Sequence, residues 1–375
     1  FPDIPFHQAK GEIEAEGFAT VIASPGIAVN GSNVIGDVEL FAREAKAPVI
    51  AITGSNGKST VTMLVQRMLD CAGTRAIAGG NIGTPVLDLL SQPEPDYYVL
   101  ELSSFQLDTI SSLRPLAAVV LNISEDHLDR YASMTDYVSS KLHIYQGAVR
   151  RIINRDDPRM RSLPDHDGDI SFGMDEPSSG DLGVRFYGKE RWLCCGDHRL
   201  VPESALSLHG EQNVSNMLAA IGLVGAALSL PNCDPGSERL RAGCAYTGLP
   251  HRCEPVASGD AMQWINDSKG TNVGATLAAI RGSKKPLILI AGGQGKGADF
   301  TPLLRVLDQG VREVILLGED ANHIEKALNG FHRIRHVKTL EAAIDRAREI
   351  GKPGDTVLFS PACASFDMFR SYVHR

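Results

Sequence analysis

Val49-Ile-Ala-Ile-Thr53-Gly54-Ser-Asn-Gly57-Lys58-Ser59-Thr60 is the stretch on which the fold turns. An apolar run enters a Gly/Asn turn, and beyond it Val61, Leu64, Val65, Met68 and Leu69 fall on one face at helical spacing. Gly73 stands where such a helix can end. Strand, glycine turn and helix together are the context of a phosphate cradle. Glycines let backbone N–H groups converge, and the helix amino terminus adds partial positive charge. On this reading Gly54, Ser55, Asn56, Gly57, Lys58, Ser59 and Thr60 surround nucleotide phosphates. Lys58 reaches the terminal ones, and Ser59 or Thr60 offers a hydroxyl to Mg2+. The strict spacing G-x-x-x-x-G-K-[ST] is not met, because Ile52 occupies the place of the first glycine. An ordinary helix-capping turn is the alternative.

Working outward, β-branched runs recur at Tyr97–Leu102, Ala117–Ile123, Arg151–Asn154, Leu287–Ala291, Val314–Leu317 and Thr356–Ser360, with helical patterns between them. That alternation predicts an α/β fold with parallel sheets. Residues 164–208 are rich in Pro, Gly and Asp and read as a small antiparallel insertion; helical patterning resumes at Asn213–Leu230. A boundary is expected near Thr247-Gly-Leu-Pro250, where a new strand–helix series begins. Three domains are expected: a partial amino-terminal domain over 1–36, a central domain over 37–247 and a carboxy-terminal Rossmann-like domain over 248–375.

Composition narrows the function. The chain has 375 residues, 43% of them hydrophobic, with a net charge of -8. It therefore has no global positive field to recruit nucleic acid or an anionic membrane. No apolar run approaches the roughly 20 residues of a membrane span, and residues 1–17 lack a signal-peptide layout. Seven cysteines without a CxxC spacing favour reduced thiols in a cytoplasmic protein over a disulfide framework or structural zinc. Any anionic substrate must be held by individual cations.

Several candidates for that work stand out. Glu101 ends a buried-looking strand, where a carboxylate is costly unless paired or bound to a cation, so it is a candidate magnesium ligand. Asn122-Ile-Ser-Glu-Asp-His127-Leu-Asp129 reads from composition as a solvated helix start. Lys141 alone reads as an exposed lysine. A second glycine cluster, Gly292-Gly-Gln-Gly-Lys296-Gly297, follows another apolar strand but lacks a hydroxyl after its lysine. A turn presenting Lys296 to a carboxylate fits better than a second nucleotide loop. Cys363, near the carboxyl end, has no evident histidine partner and is not read as a nucleophile.

Together, TGSNGKST (53–60), GNIG (80–83), ELSSFQL (101–107), NISEDHLDR (122–130), GLPHR (248–252), NDSKGTN (266–272), GGQGKGADF (292–300) and SPACAS (360–365) resemble the Mur ligases. The phosphate loop is common to Mur and folylpolyglutamate ligases. ELSSFQL, NDSKGTN and SPACAS resemble the D-glutamate-adding branch, and no DNPR-type motif of the diaminopimelate-adding branch is visible. The resemblance implies an amino-terminal UDP-binding domain, a central ATP domain and a mobile carboxy-terminal domain carrying the amino acid. It implies ATP, two Mg2+ ions, UDP-N-acetylmuramoyl-L-alanine and D-glutamate as partners, joined through an acyl-phosphate in peptidoglycan precursor synthesis by a cytoplasmic monomer. Lys58 and Thr60 then handle the phosphates and the first magnesium with Glu101. His127 and Lys141 match ligands of the second, the lysine carbamylated. Ser24 and Asn81 match substrate contacts. Asn213, Asn216, Arg252, Asp267 and Lys269 match nucleotide contacts, and Thr271, Lys296 and Ser365 match residues holding D-glutamate.

The chain departs from the family pattern at its start. The glycine-rich first strand and turn of the UDP-binding domain are not in it, and Ala28–Val34 reads as shortened. A related amino-acid ligase of the folylpolyglutamate type, and an ATP-binding chain without turnover, are the alternative readings.

Overall fold

The computed structural model describes residues 13–14, 20–24, 29–30, 34–71, 73–125 and 130–375. Most of the expected amino-terminal domain therefore lies outside the described residues. Its described pieces are short parallel pairings, Ile13–Glu14 with Val29–Asn30 and Val21–Ile22 with Val34–Ile35.

The larger sheet has nine strands. From one edge they are His198–Pro202, Glu190–Cys195, Leu182–Tyr187, Ile170–Phe172, Arg150–Asn154, Ala117–Val120, Val49–Thr53, Tyr97–Glu101 and Ala76–Gly80. From Leu182–Tyr187 onward neighbours run parallel; the first three form an antiparallel meander. Val49–Thr53 is buried at every position because both faces are covered. Ile50 and Ile52 pack on the side of helices Lys58–Asp70 and Glu211–Ala227, while Val49 and Ala51 face the side of Asp37–Glu44 and Met134–Leu142. The five apolar residues expected on the inner face of Lys58–Asp70 are all buried there. Each such burial stabilises by about 1.5–3 kcal/mol before entropy is counted.

Residues 164–208 do contain antiparallel pairing, but they do not form a separate insertion. Phe172 pairs with Leu182 in parallel, and Leu182, Val184, Leu193 and Val201 join the core of the larger sheet. The apolar side of the meander is thus buried by extending that sheet. Two expected strands also end early, at Glu101 and Val120. After Val120 the chain leaves the ladder to wrap the glycine turn, with Leu121 N donating to Thr53 O and Ser55 N donating to Asn122 O.

The smaller sheet has the order Glu254–Val256, Gln263–Asn266, Thr356–Phe359, Leu287–Gly292, Val311–Leu317 and Ile334–His336, parallel except at its first pair. In both sheets the loops that carry the candidate residues leave the carboxyl ends of parallel strands, the edge where α/β proteins bind ligands.

Candidate active site

The glycine turn is held from below. Asn122 grips it twice, its Oδ1 accepting from Asn56 N at 2.9 Å and its Nδ2 donating to Asn56 O at 3.0 Å. Ser55 Oγ donates to Ser124 O at 3.0 Å and lies 3.1 Å from the hydroxyl of buried Tyr137. Asn56 N is thereby spent and Ser55 N donates to Asn122 O at 2.8 Å, so both backbone donors are used within the protein. Gly57, at φ 87°, then turns into helix Lys58–Asp70, whose amino terminus has no side-chain cap. A Cβ on Gly57 would come within 2.5 Å of Asn216 Oδ1, so the loop passes directly over helix Glu211–Ala227. Asn213 and Asn216 lie on its first turns, bonded to each other at 3.4 Å. An uncapped helix start above fixed glycines leaves donors for an anion.

Glu101 sits beside that start, 2% exposed. Its Oε2 accepts from Ser59 Oγ at 2.6 Å and its Oε1 from Asn81 Nδ2 at 2.9 Å. Burial alone pushes its carboxyl up, but the Lys58 charge, the two hydrogen bonds and Arg252 hold it below the ordinary value. It is an ionised, buried carboxylate bonded to the buried hydroxyl of Ser59, and the next residue of the helix, Thr60, is buried as well. This donor set fits a hard divalent cation.

Two cations converge on one carbonyl. Lys58 Nζ donates to Gly54 O at 2.9 Å and to Ser55 O at 3.0 Å; Lys141 Nζ, 2% exposed, donates to the same Gly54 O at 3.1 Å. The expectation of an exposed Lys141 from composition alone is corrected here: helix Met134–Leu142 packs it inward, over the Tyr137 ring at 4.7 Å. His127 and the neighbouring Asp126 and Asp129 lie outside the described residues, and Glu125 is exposed. Among the described residues no three His, Cys, Asp or Glu side chains converge as a metal site.

The smaller sheet reaches into this site. Arg252 Nη2 donates to Ser59 Oγ at 2.7 Å across 193 positions of sequence, and its Nε is buried with no partner among the described residues. Lys269 is pulled down to about 8 by burial, by Arg252 and by Lys58, with Glu101 opposing. Asp267 is pushed up to about 6 by burial, against bonds from Ser360 Oγ at 2.6 Å and Cys253 N at 3.2 Å. Thr271 is half-buried close by. Ser365 is buried next to Ala364, whose backbone bridges Gln294 and so joins the loops that hold Ser365 and Lys296. Lys296 itself is exposed at φ 52°. Ser24 is exposed beside Val21–Ile22. Asn122, Ser124, Tyr137 and Asn272 were assigned no role from the sequence. For Asn122 a signal existed: it is the first polar residue after a buried strand, where the chain must turn.

A phosphate loop fed with cations by a second parallel sheet is an arrangement for activating an acid with a nucleoside triphosphate. The family description "Mur ligase middle domain" matches residues 52–224, and "Mur ligase, glutamate ligase domain" matches residues 251–363. The chain belongs to the Mur ligase family and is a ligase. Within that family it is similar to UDP-N-acetylmuramoylalanine–D-glutamate ligases. It is 47% identical to that of Nitrosococcus oceani, over 95% of this chain and 80% of the relative. With that of Hahella chejuensis it shares 45% identity, over 100% of this chain and 86% of the relative. Among solved structures, MurF ligase from Thermotoga maritima in complex with ADP aligns with a TM-score of 0.66 at 16% identity, covering 92% of this chain and 86% of that one. No described helix is long and apolar enough to cross a membrane.

Proposed function

We propose that the chain adds D-glutamate to UDP-N-acetylmuramoyl-L-alanine at the expense of ATP, in peptidoglycan precursor synthesis. The observation that carries this reading is the cluster in which Glu101 and Arg252, from two different sheets, both bind Ser59 at the start of the phosphate-loop helix. Its substrates are those named for the D-glutamate ligases to which nearly the whole of this chain is similar.

A carboxylate is a poor electrophile. Its oxygen attacks the γ-phosphorus, the bond to the β–γ bridging oxygen breaks, and ADP leaves with the electron pair, giving an acyl-phosphate. The glutamate amine then attacks the acyl carbon, and phosphate departs with its bonding pair as the amine loses a proton. The chain's task is positioning and charge compensation. Gly54, Gly57 and Lys58 to Thr60, with Asn213 and Asn216, seat the nucleotide, while Ser55 and Asn56 hold the loop's shape; Lys58 swings from its carbonyls to the terminal phosphates. The orphaned Nε of Arg252 and the ammonium of Lys269 bind the transferring phosphoryl oxygens, and Asp267 orients the arginine's loop. Ser24 and Asn81 contact the UDP substrate; Thr271, Lys296 and Ser365 hold the amino acid.

Mg2+, when bound, neutralises phosphate charge and polarises the γ-phosphoryl group. Thr60 and Glu101 would hold one ion, His127 and a carbamylated Lys141 a second. Supporting that modification, Lys141 and Lys58 crowd the same Gly54 carbonyl. Converting one ammonium to a carbamate removes the like-charge repulsion and supplies a metal-binding oxygen pair.

The test is phosphate release from the chain with ATP, Mg2+, UDP-N-acetylmuramoyl-L-alanine and either D- or L-glutamate. Release requiring both the UDP substrate and D-glutamate is expected. Release with another amino acid, or stable phosphorylation of the substrate without amide formation, would overturn the assignment.

A further inference from the structure

Asn56 sits inside the phosphate loop, yet its polar groups are all bonded within the protein. Its backbone N–H and carbonyl are both taken by Asn122. Its side chain points to the other sheet. Asn56 Nδ2 donates to Asn272 Oδ1 at 3.3 Å, and Asn272 Nδ2 donates back to Asn56 Oδ1 at 3.2 Å, a reciprocal amide pair spanning 216 positions. Asn272 also caps helix Val273–Gly282, its Oδ1 accepting from Ala275 N at 2.8 Å. Next to it, a Cβ on Gly274 would stand 2.8 Å from Ser124 Oγ and 3.3 Å from Asn56 Nδ2. The helix start is therefore seated flush against the phosphate loop, and a side chain at 274 would have to displace Ser124.

The geometry points to a latch: the Asn56–Asn272 pair, seated by Gly274, docks the smaller sheet on the phosphate loop, and Asn56 is a positioning residue for that docking rather than a phosphate ligand. Asn272 ends the segment that carries Asp267, Lys269 and Thr271. Fixing its amide to the loop sets the reach of Lys269 to the phosphates, which is the distance that phosphoryl transfer depends on. The pair is cheap to open, because two neutral amide bonds exchange readily for bonds to water. A latch of this strength lets the units separate for substrate entry and rejoin for chemistry. The proposal rests on the loop being the ATP site of the ligase described above.

The experiment uses the full chain with Asn56→Ala, Asn272→Ser and both together; serine keeps a capping oxygen for Ala275 N. Two quantities are read: turnover by phosphate release, and the Kd of a non-hydrolysable ATP analogue. Each single variant should lower turnover about tenfold, the double variant should be no worse than either single, and Kd should stay within about twofold. Asn56→Asp, which keeps one of the two bonds, should fall between wild type and Asn56→Ala. A Kd that rises in step with the loss of turnover would make Asn56 a phosphate ligand; losses that multiply in the double variant would show that the two amides act separately. Either result overturns the latch. If the unsubstituted chain has no ligase activity, the substrate reading fails but the latch is still measured. With analogue bound, X-ray scattering should show a more extended chain for Gly274→Val and Asn56→Ala than for wild type, and superimposable profiles would overturn the latch.

Discussion

Two glycine loops, Gly54–Gly57 and Gly292–Gly297, leave buried parallel strands and each contains or leads into a lysine, yet they are built for different work. In the first, the helix starts at Lys58 itself, its first N–H groups are uncapped, and Glu101 is held ionised beside it by Lys58. In the second, three N–H groups already have acceptors: Gly292 N donates to Pro361 O, Gln294 N to Ala364 O and Gly295 N to Asp320 Oδ2 at 2.6 Å. The next helix begins only at Thr301, and Lys296 stands exposed. Glycines do not make a phosphate site; unspent N–H groups at a helix start do. The second loop is a rigid stalk that presents one ammonium.

The contrast breaks most easily at the lysines. Lys58→Met should lower phosphate release about 1000-fold, because it removes the charge that meets the γ-phosphoryl group as it transfers. Lys296→Met should instead raise the KM for the amino acid and leave ATP affinity unchanged. Equal effects of the two substitutions on ATP would mean that the loops share a function.

Glu101→Gln is the next largest expected effect, about 100-fold in turnover, with a higher Mg2+ concentration needed for half-maximal rate. Glutamine keeps the size and the bond from Ser59, so the variant loses the charge and the bond from Asn81 while the packing persists. An unchanged Mg2+ dependence would remove Glu101 from the proposed metal site.

The second carboxylate sharpens the comparison through pH. Asp267 directly follows a strand as Glu101 ends one, and it too accepts a serine hydroxyl at 2.6 Å, but burial outweighs its bonds and raises it to about 6 from 3.8. The folded state therefore holds this proton more tightly than the unfolded chain. That contribution to stability is complete below 3.8 and is lost as pH rises through about 6. Asp267→Asn should remove this slope: relative to wild type, the variant gains stability across that window and shows a constant difference on either side. Denaturant titrations at several pH values would reveal it, and a flat difference throughout would show that Asp267 titrates in the folded chain as it does in the unfolded one.

What could be read beforehand follows how local the determinants are. The parallel strands, the helix behind the phosphate loop and Glu101 at a strand end were legible, since each rests on a run of apolar residues and what directly follows it. Lys141 was not: an inward lysine and an outward one look alike until helix Met134–Leu142 is seen turning Lys141 inward, over the ring of Tyr137 on the same helix. Nor could sequence show that Asn122 consumes the backbone of Asn56, or that Arg252 reaches Ser59, because these pairs form only when strand ends from distant segments meet. The antiparallel meander was recognised, but its fusion with the large sheet depends on the short strand Ile170–Phe172. Glu39 carries no local signal of its environment either. It is fully buried and accepts from Ser111 and Ser112, which together with Arg43 outweigh burial and depress it to about 2.

The smallest predicted effect is the most direct test of the distinction between the loops. Asp320→Ala leaves Gly295 N without its acceptor and should cost about 1 kcal/mol of stability, whereas Asp320→Asn keeps an acceptor oxygen and should cost less. Both substitutions also remove the negative charge that would repel a phosphate at the second loop. If that charge were all that kept the loop from binding ATP, either variant would bind two nucleotides per chain. The geometry says otherwise. Asp299 already takes Thr301 N at 2.9 Å at the start of the following helix, and the loop's own N–H groups remain committed to Pro361 and Ala364. Calorimetric titration should therefore still give one ATP site per chain in both variants. A second site would mean that the two loops differ by a single charge rather than by how their backbone donors are spent.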